Sequence, residues 1–189
     1  VWTTMEHAFR SYCIENGFVE IHSPKLTAMA TESGSELFEV KYFDRKAHLA
    51  QSPQLYKQMA MAAGFEKVFE VGPVFRANPS FTSRHDTEFT MYDIEMSFIV
   101  SHHELMDEEE KMVVAMLKAV KEKYGDEIHK VYGREVMIPK IPFPRLTMKE
   151  AKEIGDKLGI KWDKFDVDQF RRGLDVELEH GLVSPPTNV

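Results

Sequence analysis

The sequence predicts an α+β fold in which an antiparallel β-sheet is flanked by helices. Two long segments rich in β-branched and aromatic residues, Lys67 to Phe75 and Glu88 to Ile99, supply the sheet, and a polar, turn-rich stretch separates them. Capping boxes at Ser101–Glu104 and Thr147–Glu150 each open a segment of helical character. Of the 189 residues, 43% are apolar and 29% are charged with both signs interspersed, enough for one ordinary core and too apolar for disorder.

Taken in order, Thr4 to Glu15 reads as an amphipathic helix, with Met5, Ala8, Phe9, Tyr12 and Cys13 on one face and Asn16-Gly17 as the stop. Phe18 to His22 alternates like a strand and ends before Pro24. Ala28 to Ser35 is small, polar and loop-like, and Glu36 to Phe43 with Ala47 to Ala50 suggests a β-hairpin. Pro53 suits the first position of a helix that runs to Ala63 and stops at Gly64. The two long strands follow, joined by Ala77 to Thr87, a loop longer than hairpins normally need and therefore a place to look for function. The helix opened by Ser101 is expected to close at Gly125, Pro139, Pro142 and Pro144 mark a rigid crossing, and the helix opened by Thr147 ends near Gly159. Asp168 to Glu179 is a further amphipathic stretch before Pro185-Pro186.

The net charge of −7 opposes indiscriminate polyanion binding. A single cysteine, Cys13, excludes an internal disulfide and is expected to be a buried thiol. No apolar run approaches the ~20 residues of a membrane span. The chain starts without Met, inside a helix and without a secretory leader, so a fragment of a cytoplasmic protein is expected.

Chemical content gathers around the long loop. Arg76 ends a strand, where its guanidinium could fork onto a carboxylate or phosphate. Arg84 and His85 return from the loop as a possible polyphosphate clamp, and Phe89 offers a stacking face for a base. Asp93 and Glu95 are two apart, so they share a strand face and could hold an ammonium group or a metal. From spacing alone the alternative is a solvated hairpin with ordinary surface charges and one core Phe. Glu32 lies in the small-residue loop, and Gln51-Ser52-Pro53-Gln54-Leu55-Tyr56-Lys57-Gln58 sets amides, a hydroxyl and a lysine around a helix start, which favours anions. His102, His103, Glu104 and His129 include metal-ligand types, but Ser101 and Glu104 are already accounted for by the cap.

Together these segments resemble the class II aminoacyl-tRNA synthetases, in particular the archaeal and eukaryotic aspartyl type. Val19 to Leu26 resembles motif 1, Thr31 to Phe38 the loop that closes on the amino acid, Gln51 to Gln58 the aspartate-recognition segment and Phe69 to Phe98 motif 2. The matches cover about residues 1–150, in the family's order. The resemblance implies a class II catalytic core over 1–155, with 156–189 a helical tail of separate affiliation. It implies contacts from Glu32 to the substrate's ammonium, and a pocket formed by Ser52, Gln54, Leu55, Tyr56 and Lys57. Arg76 would bridge the substrate carboxylate and the ATP α-phosphate. Ala77, Asn78, Arg84, His85 and Asp86 would line ATP, Phe89 would stack on adenine and Asp93 would face the ammonium. Asn78 stands where many relatives carry Glu. Motif 3, with the second ATP-binding arginine and the acidic Mg²⁺ ligands, has no counterpart after residue 150, and no anticodon-binding barrel precedes motif 1. The implied function is aspartate–tRNA ligation with ATP and Mg²⁺, tRNA(Asp) as acceptor and a homodimer formed through motif 1. A tRNA-independent aspartate-activating paralogue and a non-catalytic synthetase-like module are the alternatives.

Overall fold

A computed structural model describes residues 1–29, 37–77 and 86–159. The described chain forms two compact units, residues 1–142 and 143–189. In the first, α1 (Trp2–Glu15) leads into β1 (Val19–Glu20), β2 (Leu26–Thr27) and the hairpin β3 (Glu39–Tyr42) and β4 (Arg45–Leu49). Then come α2 (Gln54–Ala62), the long strands β5 (Lys67–Phe75) and β6 (Glu88–Met96), and α3 (His102–Tyr132).

Two three-stranded sheets result, ordered β1-β5-β6 and β2-β4-β3. The main sheet is built on the antiparallel β5–β6 pair, whose register runs from Lys67 opposite Met96 to Phe75 opposite Glu88. The β1 strand joins β5 in parallel, Val19 opposite Val68, a pairing that no local sequence signal announces. One face of the sheet receives α1 and α3. Phe9, Cys13, Phe18, Phe69, Val71 and Met112 form the buried cluster there, with Tyr12, Tyr92, Ile94, Met96 and Met116 packed against it. The Phe9 ring stacks on Tyr92 at 5.0 Å and meets Phe69 edge-on at 5.7 Å. Each such buried aromatic contributes about 1.5–3 kcal/mol by leaving water.

Because Tyr92, Ile94 and Met96 face this core, strand alternation sends Phe89, Asp93 and Glu95 to the opposite face. Directly paired residues share a face, so Val68, Glu70 and Val74 of β5 lie there too. The α2 helix packs against β5 and β6.

The first capping box forms as expected: Ser101 Oγ accepts from the His103 N–H, and Glu104 accepts from the Ser101 N–H. The helix it opens does not stop at Gly125, however. It runs to Tyr132, and Gly133, at φ 62°, closes it by donating its N–H to the His129 carbonyl. A glycine inside a helix costs only ~1 kcal/mol, and Asp126 to Tyr132 continues with residues able to stay helical. The stop belongs to the glycine that takes the left-handed conformation.

The second unit contains α4 (Met148–Lys157). Thr147 Oγ1 accepts from the Glu150 N–H at 3.2 Å, and Glu150 accepts from the Thr147 N–H at 2.8 Å. Those bonds hold the Glu150 carboxyl below its ordinary value.

Candidate functional site

The site lies on the sheet face turned away from α1 and α3. Its upper end is the junction between β5 and the chain leaving β4. Phe75 donates its N–H to Ala50 O at 2.9 Å, which draws Gln51 and Ser52 into the interior at 0% and 3% exposure. Ser52 Oγ in turn accepts from the Gln54 N–H at 3.2 Å and orders the entry to α2. Arg76 follows β5 directly. Its backbone N–H donates to Thr87 O at 3.0 Å, its Nε approaches Gln51 O at 3.5 Å, and its guanidinium sits 5.7 Å from the Phe89 ring centroid. A planar cation is thus held over an aromatic face at the end of a strand, with the plane that forked anion binding requires.

Four residues along β6 from Phe89, roughly 13 Å at strand rise, lies the second cluster. Lys57 comes from α2, and its side chain is only 12% exposed. Its Nζ lies 2.5 Å from Asp93 Oδ1, 3.1 Å from Glu95 Oε2 and 3.3 Å from Ile94 O. Burial alone would lower the lysine's proton affinity, but the bonds and charges of Asp93 and Glu95 outweigh it, and its pKa lies above the ordinary value. Read from sequence alone, Lys57 was as well explained as a solvated helix residue. The structure shows instead a charged centre bonded to both carboxylates.

Glu70, directly opposite Asp93 in β5, adds a third carboxylate to this face at 4% exposure. It accepts from the Ser23 N–H and Ser23 Oγ, both at 3.0 Å, and pairs with Lys25. Lys25 reaches it across Gly72, where a Cβ would meet the lysine at 3.5 Å and Glu70 at 3.4 Å. The Ser23–Lys25 segment is thereby fastened to β5.

Of the residues expected at the site, Ser52, Gln54, Lys57, Arg76, Phe89 and Asp93 gather on or beside this one face. Leu55, 37% exposed, and the half-buried Tyr56 lie in the first turn of α2. Ala77 and Asp86 stand at the two ends of the loop, Asp86 exposed. Glu32, Asn78, Arg84 and His85 lie outside the described residues. Glu95, which sequence reasoning had placed on the face of Asp93 without a role at the site, is a direct partner of Lys57. The Lys25–Glu70 pair was missed altogether, because its members are far apart in the chain and neither carries a distinctive signature. Among the described residues no three His, Cys, Asp or Glu side chains converge as a metal site, and at Asp93 and Glu95 the cation is Lys57 itself.

Comparison with known proteins supplies the family. The pattern of the tRNA synthetases class II (D, K and N) matches residues 2–180. The aspartate–tRNA(Asp) ligase of Pyrococcus abyssi is 48% identical over 163 residues, which is 85% of this chain and 37% of that protein. The aspartate–tRNA(Asp/Asn) ligase of Methanopyrus kandleri is 47% identical over 154 residues, 82% of this chain and 36% of that protein. Among solved structures, the asparaginyl-tRNA synthetase of Pyrococcus horikoshii complexed with asparaginyl-adenylate superposes with a TM-score of 0.77 at 34% identity, over 85% of this chain and 37% of that one. The aspartyl-tRNA synthetase of Entamoeba histolytica gives 0.65 at 40% identity, over 87% and 30%. The chain spans just over a third of the length of the curated relatives it matches.

Proposed function

The chain belongs to the tRNA synthetases class II (D, K and N), and from that premise we propose that it forms the amino-acid- and α-phosphate-binding part of an aspartate–tRNA ligase. The observation that carries this reading is the buried Lys57 set between Asp93 and Glu95, on the sheet face that bears Arg76 over Phe89. A lysine so placed suits the side-chain carboxylate of aspartate, with Asp93 facing the substrate's ammonium. Arg76 suits the α-carboxylate and the α-phosphate together, because its fork donates to two oxygens at once. Ser52, Gln54, Leu55 and Tyr56 would border the amino acid, and Phe89 would stack on the adenine.

The reaction needs no protein nucleophile. An oxygen of the aspartate α-carboxylate attacks the α-phosphorus, the bond to the β-phosphate oxygen breaks, and aspartyl-adenylate and pyrophosphate result. Transfer to the 3′ end of tRNA(Asp) releases AMP. Arg76 contributes by holding both reactants in line and by meeting the negative charge that grows on the phosphorus oxygens. Class II synthetases use ATP with Mg²⁺, which supplies charge neutralisation on the phosphates. The described residues of this chain offer Mg²⁺ no cluster of ligands, and its ligands are assigned to the region that relatives carry beyond this span.

Trp2, Ile14, Val19 and Leu26 remain exposed around α1, β1 and β2, which supports pairing of two copies through this region. No described helix is long and apolar enough to cross a membrane, in keeping with a cytoplasmic site of action.

The test is aspartate-dependent ATP–pyrophosphate exchange by the full-length gene product. Arg76→Ala is expected to lower it by at least about 10²-fold, the usual cost of removing a charge-stabilising donor. Exchange at the wild-type rate in that variant removes Arg76 from the mechanism.

A further inference from the structure

We propose that aspartate enters this site by an exchange of ion pairs. The Lys57–Asp93 pair opens, Lys57 passes to the substrate's side-chain carboxylate, Asp93 passes to the substrate's ammonium, and Glu95 keeps Lys57 in place. This rests on the reading of the site given above and adds how the site is filled before the substrate arrives.

The geometry requires some such exchange. An ammonium group has three N–H donors. In the structure three acceptors surround Lys57 Nζ: Asp93 Oδ1 at 2.5 Å, Glu95 Oε2 at 3.1 Å and Ile94 O at 3.3 Å. A substrate carboxylate obtains a bond from Lys57 only when one of the three lets go. Ile94 O is backbone of a paired strand opposite Phe69 and is not free to swing away. Of the two carboxylates, Asp93 is nearer the Arg76–Phe89 end by two residues, about 7 Å along β6. A substrate whose α-carboxylate rests on Arg76 carries its ammonium at that same end, with its side-chain carboxylate extending towards Lys57. Asp93 is therefore the group with a new cation to go to, and Glu95 is the positioning residue that stays.

The exchange makes the substrate's two recognition groups interdependent. Aspartate replaces both partners of the opened pair. Succinate, which has both carboxylates and no ammonium, takes Lys57 but strands the Asp93 carboxylate without a cation. Asparagine satisfies Asp93 but gives Lys57 only a neutral amide. A buried charge left without its partner weakens binding by roughly 10- to 100-fold.

Calorimetric titration of L-aspartate and of succinate into the full-length gene product, as wild type, Asp93→Asn and Glu95→Gln, tests this. Asp93→Asn is expected to weaken aspartate by at least about tenfold and to tighten succinate by about tenfold, because no carboxylate is then stranded. Glu95→Gln removes an equal charge from the same lysine but not the exchanging partner, so it should leave succinate within about threefold of wild type. Succinate unchanged or weakened in Asp93→Asn overturns the exchange, and so does equal tightening in both variants, which is the signature of net charge alone. Asp93→Ser, with the same expected pattern, replaces Asp93→Asn should that variant fail to fold. A wild-type protein that binds no aspartate sinks the ligase reading and the exchange together. One that binds aspartate but lacks the crossed response sinks the exchange only.

Discussion

Replacing Lys57 by methionine keeps the aliphatic stem of the side chain and removes only its charge. What remains is two carboxylates, Asp93 and Glu95, with side-chain exposures of 13% and 25%, on one strand face and without the cation both of them touch. Removing one partner of a fully buried ion pair costs about 3–5 kcal/mol. The residual exposure here lets water reach the orphaned groups, which places the expected cost near ~3 kcal/mol. For a folded unit of this size that lowers the melting temperature by roughly 10 °C. The lysine's pKa is raised above its ordinary value by its carboxylate partners against the opposing effect of burial. A group whose proton is held more tightly in the folded state stabilises it fully below the unfolded pKa and loses that contribution as pH rises through the folded one. The difference between wild type and Lys57→Met should therefore be constant across neutral pH and shrink only above about pH 10.4. Thermal unfolding followed by circular dichroism measures it. The triple variant Lys57→Met/Asp93→Asn/Glu95→Gln has no stranded charge and should recover most of the loss. A single variant that melts within about 2 °C of wild type, or a triple variant less stable than the single one, would refute the view of this cluster as a buried charge centre.

Two further expectations concern the helices. Gly125→Ala meets only Lys121 Cγ, at 3.6 Å, and should stabilise α3 by up to ~1 kcal/mol. Gly133→Ala must hold φ near 62° and should cost ~1 kcal/mol, and urea unfolding of the two variants in opposite directions checks where the helix ends. Cys13, at 0% exposure, has its thiol pushed up to about 12 by burial and then by the charge of Glu108. It should resist alkylation by iodoacetamide in the native protein and react only on unfolding, and mass spectrometry reads either result. The same shift makes native stability fall as pH rises from the ordinary thiol range towards about 12, because the unfolded chain releases that proton first.

What the sequence discloses and what it hides separate along physical lines. The strands Lys67–Phe75 and Glu88–Met96 and both capping boxes are legible because propensity, alternation and caps are local. Gly125 misleads because a glycine is tolerated inside a long helix and marks its end only where the chain turns left-handed. The parallel β1–β5 pair and the burial of Lys57 depend on contacts between segments tens of residues apart, and no window of sequence contains both partners. Lys57 became a candidate through family resemblance, and only the docking of α2 on β6 distinguishes it from a solvated helix lysine. The charges explain why those distant segments meet. One sheet face carries Glu70, Asp93 and Glu95, with Glu70 directly opposite Asp93, an arrangement that repels itself if left alone. Two lysines answer it from two different parts of the chain: Lys25 binds Glu70 and fastens the segment after β1, while Lys57 binds Asp93 and Glu95 and helps seat α2. The residues proposed to recognise the substrate are thus among those that hold its walls together. A ligand that draws Lys57 from Asp93 must supply both an anion and a cation, or it weakens the seat of α2 as it binds.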